Sequence, residues 1–369
     1  MKKEASRRRL SSRICLFNRR KLCKFARWKT SLSDNIPMET MIERWKDEGY
    51  IGEALPADVG DVQAAIRRLC EEKNVVLLAH YYTPGSVQQC ADFVGDSLAL
   101  ARKAAATDAD IIMMCGVHFM AETCKILSPH KKVLCPDLRA GCSLADSCRA
   151  DDLARFKADH PSHTVISYVN TTAAVKALSD IVVTSGNARK IVDSLPAEEQ
   201  IIFGPDYNLG SYINAVTGRD MLLWRGGCHV HERFSVEAIV QLRRQYPDAV
   251  VLAHPECRGA VLAAADVVGS TAVLLRYTIE SDRTTFIVAT ESGILFEMQR
   301  ACPQKTFIPV PPEVTEGGAG CSCNECEYMK MNTTSKIYYT LLYEWPEVTV
   351  DAETARRAVV PINRMLALS

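Results

Sequence analysis

The chain has 369 residues, of which 47% are hydrophobic and 24% are charged, and its formal net charge is zero. This length predicts two or three domains of ordinary globular composition. The longest apolar runs are far shorter than the roughly 20 residues of a membrane span, so we predict no transmembrane helix. Fifteen cysteines without a recognisable secretory signal indicate a reducing compartment, with the cytoplasm as the default.

Basic residues are concentrated at the N-terminus. Residues 1–33 carry twelve Lys or Arg and one acidic residue, so the rest of the chain carries 32 basic and 43 acidic residues. Three interpretations of residues 1–37 stay open: translation from a start upstream of a native Met38 or Met41, an organellar transit peptide, or a nucleic-acid-binding arm. We rank them in that order and expect no nucleic-acid partner, because no base-reading pattern accompanies the charge.

One sequence pattern occurs three times after a helical stretch from Met38 to about Cys70. Each copy opens with a buried-strand run that ends at a polar residue, and a hydroxyl residue follows 17 positions later. The pairs are His80 and Ser97, Tyr168 and Ser185, and His254 and Thr271. Three equal spacings indicate an internal repeat.

Each copy continues with a second apolar strand, a helical segment and a third short strand. A glycine-containing loop with a cysteine follows the third strand. These cysteines are Cys142, Cys228 and one of Cys321, Cys323 and Cys326. Because strands that alternate with helices form parallel sheets, with functional groups at the carboxyl ends of the strands, we expect the cysteines to converge.

The repeat predicts an α/β fold of three αβα domains with small parallel sheets. The domains would be related by a pseudo-threefold axis, with the active site at their central junction. The predicted segments are a basic arm (1–37), repeat 1 with an N-terminal extension (38–150), repeat 2 (151–235), repeat 3 (236–335), and a C-terminal helical segment packing back on repeat 1 (336–369).

One cysteine from each repeat would bring three thiolates to one point. Such a set suits an iron–sulfur cluster in which one iron lacks a protein ligand, or a three-cysteine zinc site with an open position. A metal open to substrate can act as a Lewis acid, which favours dehydration chemistry. A Cys-x-x-Cys pair such as Cys323 and Cys326 is instead compatible with a thiol–disulfide switch.

Polar residues at the same strand ends supply candidate acid–base and binding groups. Glu256 is the predicted general base, and Asp96 and Glu122 are weaker candidates. The hydroxyl residues either cap helices or bind a carboxylate or phosphate at a helix N-terminus. They are Ser97, Ser185, Ser270 and Thr271. No dinucleotide or P-loop fingerprint occurs, so we expect a small anionic substrate.

Motifs between residues 75 and 366 occur in a fixed order and include AHYY, ADFVGDSLAL, CGVHFMAET, YVNTTAAVKA, VVTSGNA, GPDYNLG, WRGGCHVH, ATESGI and CSCNEC. This ordered set resembles the motifs of the quinolinate synthase family. The resemblance implies condensation of iminoaspartate with dihydroxyacetone phosphate to quinolinate, with loss of phosphate and two waters, in NAD biosynthesis. It also implies a 4Fe-4S cluster with one iron open to substrate, and L-aspartate oxidase as the source of iminoaspartate.

The resemblance further implies residue roles. Cys142, Cys228 and Cys326 look like the cluster ligands, and Glu256, Tyr168 and His80 look catalytic. The implied substrate contacts are His80, Tyr82, Ser97, Tyr168, Asn170, Ser185, His231, His254, Glu256, Ser270 and Thr271. Relatives often space three clustered cysteines Cys-x-x-Cys-x-x-Cys, but here Gly320 takes the first position, which weakens a redox role for Cys321 and Cys323.

Two other classes of function stay open on the sequence alone. One is a hydro-lyase that uses an open cluster iron on a small hydroxy acid. The other is a non-enzymatic iron–sulfur sensor or electron carrier, which needs neither an open iron nor a ring of polar residues from three domains.

Overall fold

The computed structural model describes Glu43, Leu55, residues 59–313 and residues 324–369. The basic arm with Met38 and Met41, and the cysteines Cys321 and Cys323, lie outside the described residues. Their interpretation therefore stays a prediction. All elements named below belong to one compact part of the chain, Gly49–Ser369. Below, a unit means one of the three α/β repeats within this part.

The strands that the structure describes form three four-stranded sheets, and all neighbouring strands are parallel. The first sheet contains β1 (Val75–His80), β2 (Phe93–Gly95), β3 (Ile111–Cys115) and β4 (Lys132–Leu134). The second contains β5 (Thr164–Tyr168), β6 (Ile181–Val183), β7 (Ile201–Phe203) and β8 (Leu222–Leu223). The third contains β9 (Val250–Ala253), β10 (Val267–Val268), β11 (Thr285–Ala289) and β12 (Thr306–Pro309).

Every sheet has the same strand order, with the second strand of its unit at one edge, followed by the first, third and fourth. Parallel neighbours require crossover connections, and helices supply them. The predicted α/β fold of three equivalent units with small parallel sheets is therefore confirmed.

Helices precede, connect and follow the strands. The first unit has α1 (Val62–Glu72), α2 (Gly85–Gln88), α3 (Ser97–Ala106), α4 (His118–Leu127) and α5 (Ser143–Ser147). The second has α6 (Ala150–Asp159), α7 (Ala173–Lys176), α8 (Ala188–Asp193), α9 (Tyr207–Thr217) and a 3-10 helix (His231–Arg233). The third has α10 (Val236–Gln245), α11 (Gly259–Ala263), α12 (Thr271–Glu280) and α13 (Ile294–Ala301). The chain ends with α14 (Glu327–Lys330), α15 (Thr334–Tyr343) and α16 (Ala352–Leu368).

The central strands are buried on both faces. In β1, Val76 and Leu78 join one hydrophobic cluster, whereas Leu77 joins another. In β9, Val251 and Leu252 likewise belong to different clusters. Because successive side chains of a strand point to opposite faces, both faces of these sheets are covered, which gives each such unit three layers. This burial explains why the strands are continuous apolar runs rather than alternating ones.

The edge strands β2, β6 and β10 were missed in the sequence, because two or three residues are too few to show a strand period. An aspartate directly before each edge strand fixes it to the first strand of its unit. The carboxylates accept the backbone N–H groups of first-strand residues at 2.7 to 2.8 Å, in the pairs Asp92 with Leu77, Asp180 with Val165, and Asp266 with Val251. The same aspartates donate their own N–H groups to the carbonyls of these partners.

The C-terminal helices contact more than one unit. Helix α15 packs against α1, and α16 lies along β6 and α7. Thr333 and Asp351 cap these two helices by accepting backbone N–H groups within the first turn. None of the described helices combines the length and the apolar character that a membrane crossing requires.

Candidate active site

One cavity lies where the carboxyl ends of strands from all three sheets meet. Thirteen of the fourteen predicted site residues line it: His80, Tyr82, Ser97, Cys142, Tyr168, Asn170, Ser185, Cys228, His231, His254, Glu256, Thr271 and Cys326. The exception is Ser270, whose hydroxyl caps α12 by accepting the N–H of Val273 at 3.4 Å. Ser270 therefore does not line the cavity, and its predicted contact with substrate has no support from the cavity lining.

The hydroxyl residues at the repeated spacing lie at or near helix starts, where they face the cavity. Ser97 and Thr271 are the first residues of α3 and α12, and Ser185 lies in the turn before α8. The cap of α3 is Asp96, whose carboxylate accepts the N–H of Ala99 at 2.9 Å. Because Asp96 and Ser270 do the capping, the hydroxyls of Ser97 and Thr271 do not serve as the caps of their helices.

The weaker base candidate Glu122 serves a structural purpose. Its carboxylate accepts the N–H of Ala173, at the start of α7, at 2.9 Å. It therefore joins α4 of the first unit to α7 of the second, outside the lining of the cavity.

His80 and His254 occupy equivalent positions and have the same tautomer. Nδ1 of His80 accepts the N–H of Tyr82 at 3.1 Å, and Nδ1 of His254 accepts the N–H of Glu256 at 3.3 Å. Burial lowers the pKa of each ring to about 3, so both are neutral at pH 7. A neutral ring that accepts at Nδ1 carries its proton on Nε2, which in His254 donates to the hydroxyl of Ser185 at 3.1 Å.

These neutral histidines predict that acid destabilises the fold. The folded-state pKa of His80 and His254 lies near 3, below the ordinary value of 6.5, so protonation favours the unfolded chain. Their contribution to stability is complete above pH 6.5 and is lost as the pH falls towards 3. At pH 5 we expect the free energy of unfolding to be about 2 kcal/mol lower per histidine than at pH 7.

Urea denaturation at the two pH values measures this difference. A variant with His80→Gln and His254→Gln should lose less stability between pH 7 and pH 5 than the parent. The control His163→Gln, outside the cavity, should keep the parent's decrease. An undiminished decrease in the double variant would contradict the assignment.

Glu256 is a buried carboxylate held by two neighbours. Its Oε1 accepts the phenol O–H of Tyr168 at 2.5 Å, and its Oε2 lies 3.0 Å from Nδ1 of His231. Burial alone would raise the pKa of Glu256, but the imidazole of His231 and the hydrogen bonds from His231 and Tyr168 outweigh it and lower the pKa to about 2. Burial and the charge of Glu256 raise the pKa of Tyr168 well above 10. The site thus pairs an ionised carboxylate with a protonated phenol.

A chain of hydrogen bonds connects this pair to Tyr82 in the first unit. Nε2 of His231 lies 3.0 Å from the hydroxyl of Thr290, which lies 2.8 Å from the hydroxyl of Tyr82. The hydroxyl of Tyr82 also lies 3.0 Å from that of Thr271. Sequence reasoning did not single out Thr290, although its position directly after β11 offered a signal.

Cys142, Cys228 and Cys326 follow the fourth strands of the three sheets and line the same cavity. Burial raises the thiol pKa to about 12 for Cys142 and about 11 for Cys326, and well above 9 for Cys228. Charge on either of the other two thiols would raise the pKa of Cys228 further, so the three are near enough to interact. Three convergent thiols fit the ligand set of an iron–sulfur cluster, and binding must displace their protons.

A second set of donor atoms overlaps this one. Atoms of Cys228, His231 and Glu256 lie within 4.8 Å of one another. However, Nδ1 of His231 already contacts both Oε2 of Glu256 at 3.0 Å and Sγ of Cys228 at 3.2 Å. A metal held by this set would compete with the contact between His231 and Glu256, and it would use only one of the three cysteines that line the cavity.

The glycines before Cys228 lie close to neighbouring side chains. A Cβ atom on Gly226 would meet Oγ and Cβ of Ser147, and one on Gly227 would meet the carboxylate of Glu232. The loop that carries Cys228 therefore packs tightly against α5 of the first unit.

Two buried carboxylates that sequence reasoning missed hold two of the cysteine loops. Asp206 accepts the N–H of Cys228 at 3.0 Å, and Glu291 accepts the N–H of Cys326 at 3.0 Å. Burial raises the pKa of both carboxyl groups. Asp206 follows β7 and Glu291 follows β11, and each of these is the third strand of its sheet along the chain. This shared position is a sequence signal that could have identified both residues.

Removal of the Glu291 carboxylate should destabilise the protein. Glu291 is buried and lies 2.8 Å from Nζ of Lys330, so Glu291→Ala leaves this ammonium group without its carboxylate. We expect the free energy of unfolding to fall by about 3 kcal/mol. Urea denaturation checks this, with Glu344→Ala as the control. Glu344 pairs with Lys73 and Lys132 at the surface, so its loss should cost less than about 1 kcal/mol. Equal losses would contradict the prediction.

The fold and the cavity define an enzyme class in which three equivalent α/β units share one central site. The chain belongs to the quinolinate synthetase A protein family (NadA), whose sequence profile matches residues 64–367.

Curated relatives named quinolinate synthase support the same family. One from Synechococcus sp. is 53% identical over 315 residues, which cover 85% of this chain and 96% of the relative. Another from Synechocystis sp. is 52% identical over 317 residues, covering 86% and 97%. A third from Thermosynechococcus vestitus is 54% identical over 309 residues, covering 84% and 96%. These similarities confirm the predicted family and its enzymatic character.

Proposed function

We propose that this chain condenses iminoaspartate with dihydroxyacetone phosphate to quinolinate, with loss of phosphate and two waters, as a step of NAD biosynthesis. The name of the relatives supports the product. The observation that carries the proposal is the convergence of three thiols with an ionised carboxylate, a phenol and neutral histidines in one cavity. Such a site combines thiols that can bind a metal cluster with residues that can transfer protons.

Cys142, Cys228 and Cys326 would hold a 4Fe-4S cluster. When bound by three protein ligands, such a cluster supplies a Lewis-acidic iron open to a substrate oxygen. The residues around the thiols fit this role, because Asp206 and Glu291 fix the backbone of two ligand loops.

Glu256 is the proposed general base. Its low pKa keeps it ionised at neutral pH, and the phenol of Tyr168 and the ring of His231 hold the carboxylate in place. A proton taken by Glu256 can be returned to a leaving hydroxyl through Tyr168. The chain through His231 and Thr290 to Tyr82 offers a second path between units.

Neutral donors would bind the anionic groups of the substrates. His80 offers an Nε2–H donor, and the hydroxyls of Ser97 and Thr271 stand at the starts of the ten-residue helices α3 and α12. Backbone N–H groups at such helix ends favour phosphate and carboxylate. Asn170, Tyr82 and Ser185 are the proposed further contacts.

Iminoaspartate hydrolyses readily, so the site must exclude water and receive the substrate promptly. We propose that an L-aspartate-oxidising enzyme supplies it, through transient contact with this chain. The three thiols must be reduced to bind iron, which favours a reducing compartment such as the cytoplasm.

Anaerobic reconstitution with iron and sulfide tests the proposal. We expect about four irons and four sulfides per chain. Quinolinate should form only when iminoaspartate and dihydroxyacetone phosphate are both supplied. A colourless zinc protein that forms quinolinate without iron would refute the cluster.

The alternative hydro-lyase makes a different prediction. It would dehydrate a small hydroxy acid whether or not dihydroxyacetone phosphate is present. Product analysis with and without dihydroxyacetone phosphate separates the two functions.

A further inference from the structure

The residue that directly follows each proposed cluster ligand takes part in one hydrogen-bonded bridge. Cys142 is followed by Ser143, Cys228 by His229 and Cys326 by Glu327. Nδ1 of His229 lies 2.9 Å from the hydroxyl of Ser143, and Nε2 of His229 lies 3.1 Å from Oε2 of Glu327. The bridge therefore joins loops from all three units at their ligand positions.

Each hydrogen bond of this bridge can be assigned one donor and one acceptor without conflict. The carboxylate of Glu327 can only accept, so His229 donates from Nε2 and accepts at Nδ1 in its neutral form. Ser143 then donates to Nδ1, and its oxygen accepts the backbone N–H of His229 at 3.3 Å. Every polar atom of the bridge is used in a compatible role.

Packing of Tyr328 reinforces the bridge. Its ring meets that of His229 edge to face, with centroids 6.1 Å apart. The same ring packs against Gly141, close enough that a methyl group on this glycine would touch it. The side chain of Glu327 is 63% exposed and that of His229 is 31% exposed, so the bridge lies towards solvent.

We propose that Ser143, His229 and Glu327 form a clasp that holds the three ligand loops together and closes the solvent side of the thiol site. His229 is the central positioning residue, because it alone contacts both other members. The inference deepens the proposed function, since the clasp matters most if the three thiols hold a cluster. It would lower the rate at which reagents, chelators or oxygen reach the thiols or the iron.

Alkylation of the cluster-free, reduced full-length chain tests the clasp directly. Iodoacetamide labelling followed by tandem mass spectrometry gives a rate for each cysteine, with Cys90 outside the cavity as the internal reference. His229→Ala removes two hydrogen bonds, so we expect Cys142, Cys228 and Cys326 to react about tenfold faster relative to Cys90. Ser143→Thr keeps the hydroxyl and should leave the rates near those of the parent.

Two comparisons make the result decisive. His163→Ala removes a histidine outside the cavity and should change none of the three rates. Glu327→Ala alters a side chain that is 63% exposed, and should also speed alkylation, though less than His229→Ala. If the three cysteines react no faster in His229→Ala and Glu327→Ala than in His163→Ala, or if Cys90 accelerates equally, the clasp is refuted.

A second measurement uses the iron-loaded chain. We expect a ferrous chelator to remove iron about tenfold faster from His229→Ala than from the parent. Equal rates of iron loss would overturn a protective role for the clasp. Absence of iron from the reconstituted parent would instead refute the proposed function, and the alkylation rates would still decide whether the clasp exists.

Discussion

Glu256→Gln is expected to lower kcat for quinolinate formation by about 10³-fold, the middle of the range for loss of a general acid–base group. Glutamine preserves the size of the side chain and can still accept the O–H of Tyr168, but it cannot take up a proton at neutral pH. KM should change little, because the loss falls on the chemical steps. Steady-state kinetics with iron counted in every preparation measures both constants.

The iron count matters because Glu256 lies near one of the proposed ligands. Oε2 of Glu256 and Sγ of Cys228 both contact Nδ1 of His231. Glu122→Gln is the matched control, because this carboxylate lies outside the cavity lining and should cost less than about tenfold in kcat. Glu256→Gln protein that contains full iron and retains a parental kcat would remove Glu256 from the mechanism.

The sequence predicted the fold because the repeat is encoded in local patterns. The apolar runs of β1, β5 and β9 and the equal spacings to Ser97, Ser185 and Thr271 are visible without any alignment. Parallel sheets align strand ends at one edge, so these patterns also predicted which side chains meet. The edge strands were missed because two or three residues are too few to show a strand period, although an aspartate such as Asp92 precedes each of them.

The site residues that sequence reasoning missed are defined by contacts between distant parts of the chain. Thr290 is defined by its contacts with Tyr82 and His231, and Asp206 and Glu291 by the cysteine N–H groups that they accept. Each partner lies at least 22 residues away along the chain. Such contacts depend on how separate loops meet in the folded chain, which no local spacing specifies.

Replacement of any one proposed ligand by serine is expected to abolish cluster binding and with it quinolinate formation. Each thiol comes from a different unit, so the two that remain cannot enclose a cluster whose fourth iron has no protein ligand. Cys142→Ser, Cys228→Ser and Cys326→Ser should each retain less than about a quarter of the parent's iron after anaerobic reconstitution.

The matched control for these variants is Cys90→Ser. Its thiol donates to the carbonyl of Ser86 outside the cavity, so the variant should keep the parent's iron and sulfide. Cys321→Ser and Cys323→Ser should also keep a full cluster if Cys326 alone is the third ligand. Full iron in Cys326→Ser, together with its loss in Cys321→Ser or Cys323→Ser, would move the third ligand to that cysteine. Full iron in all three of these variants would refute a ligand from this segment.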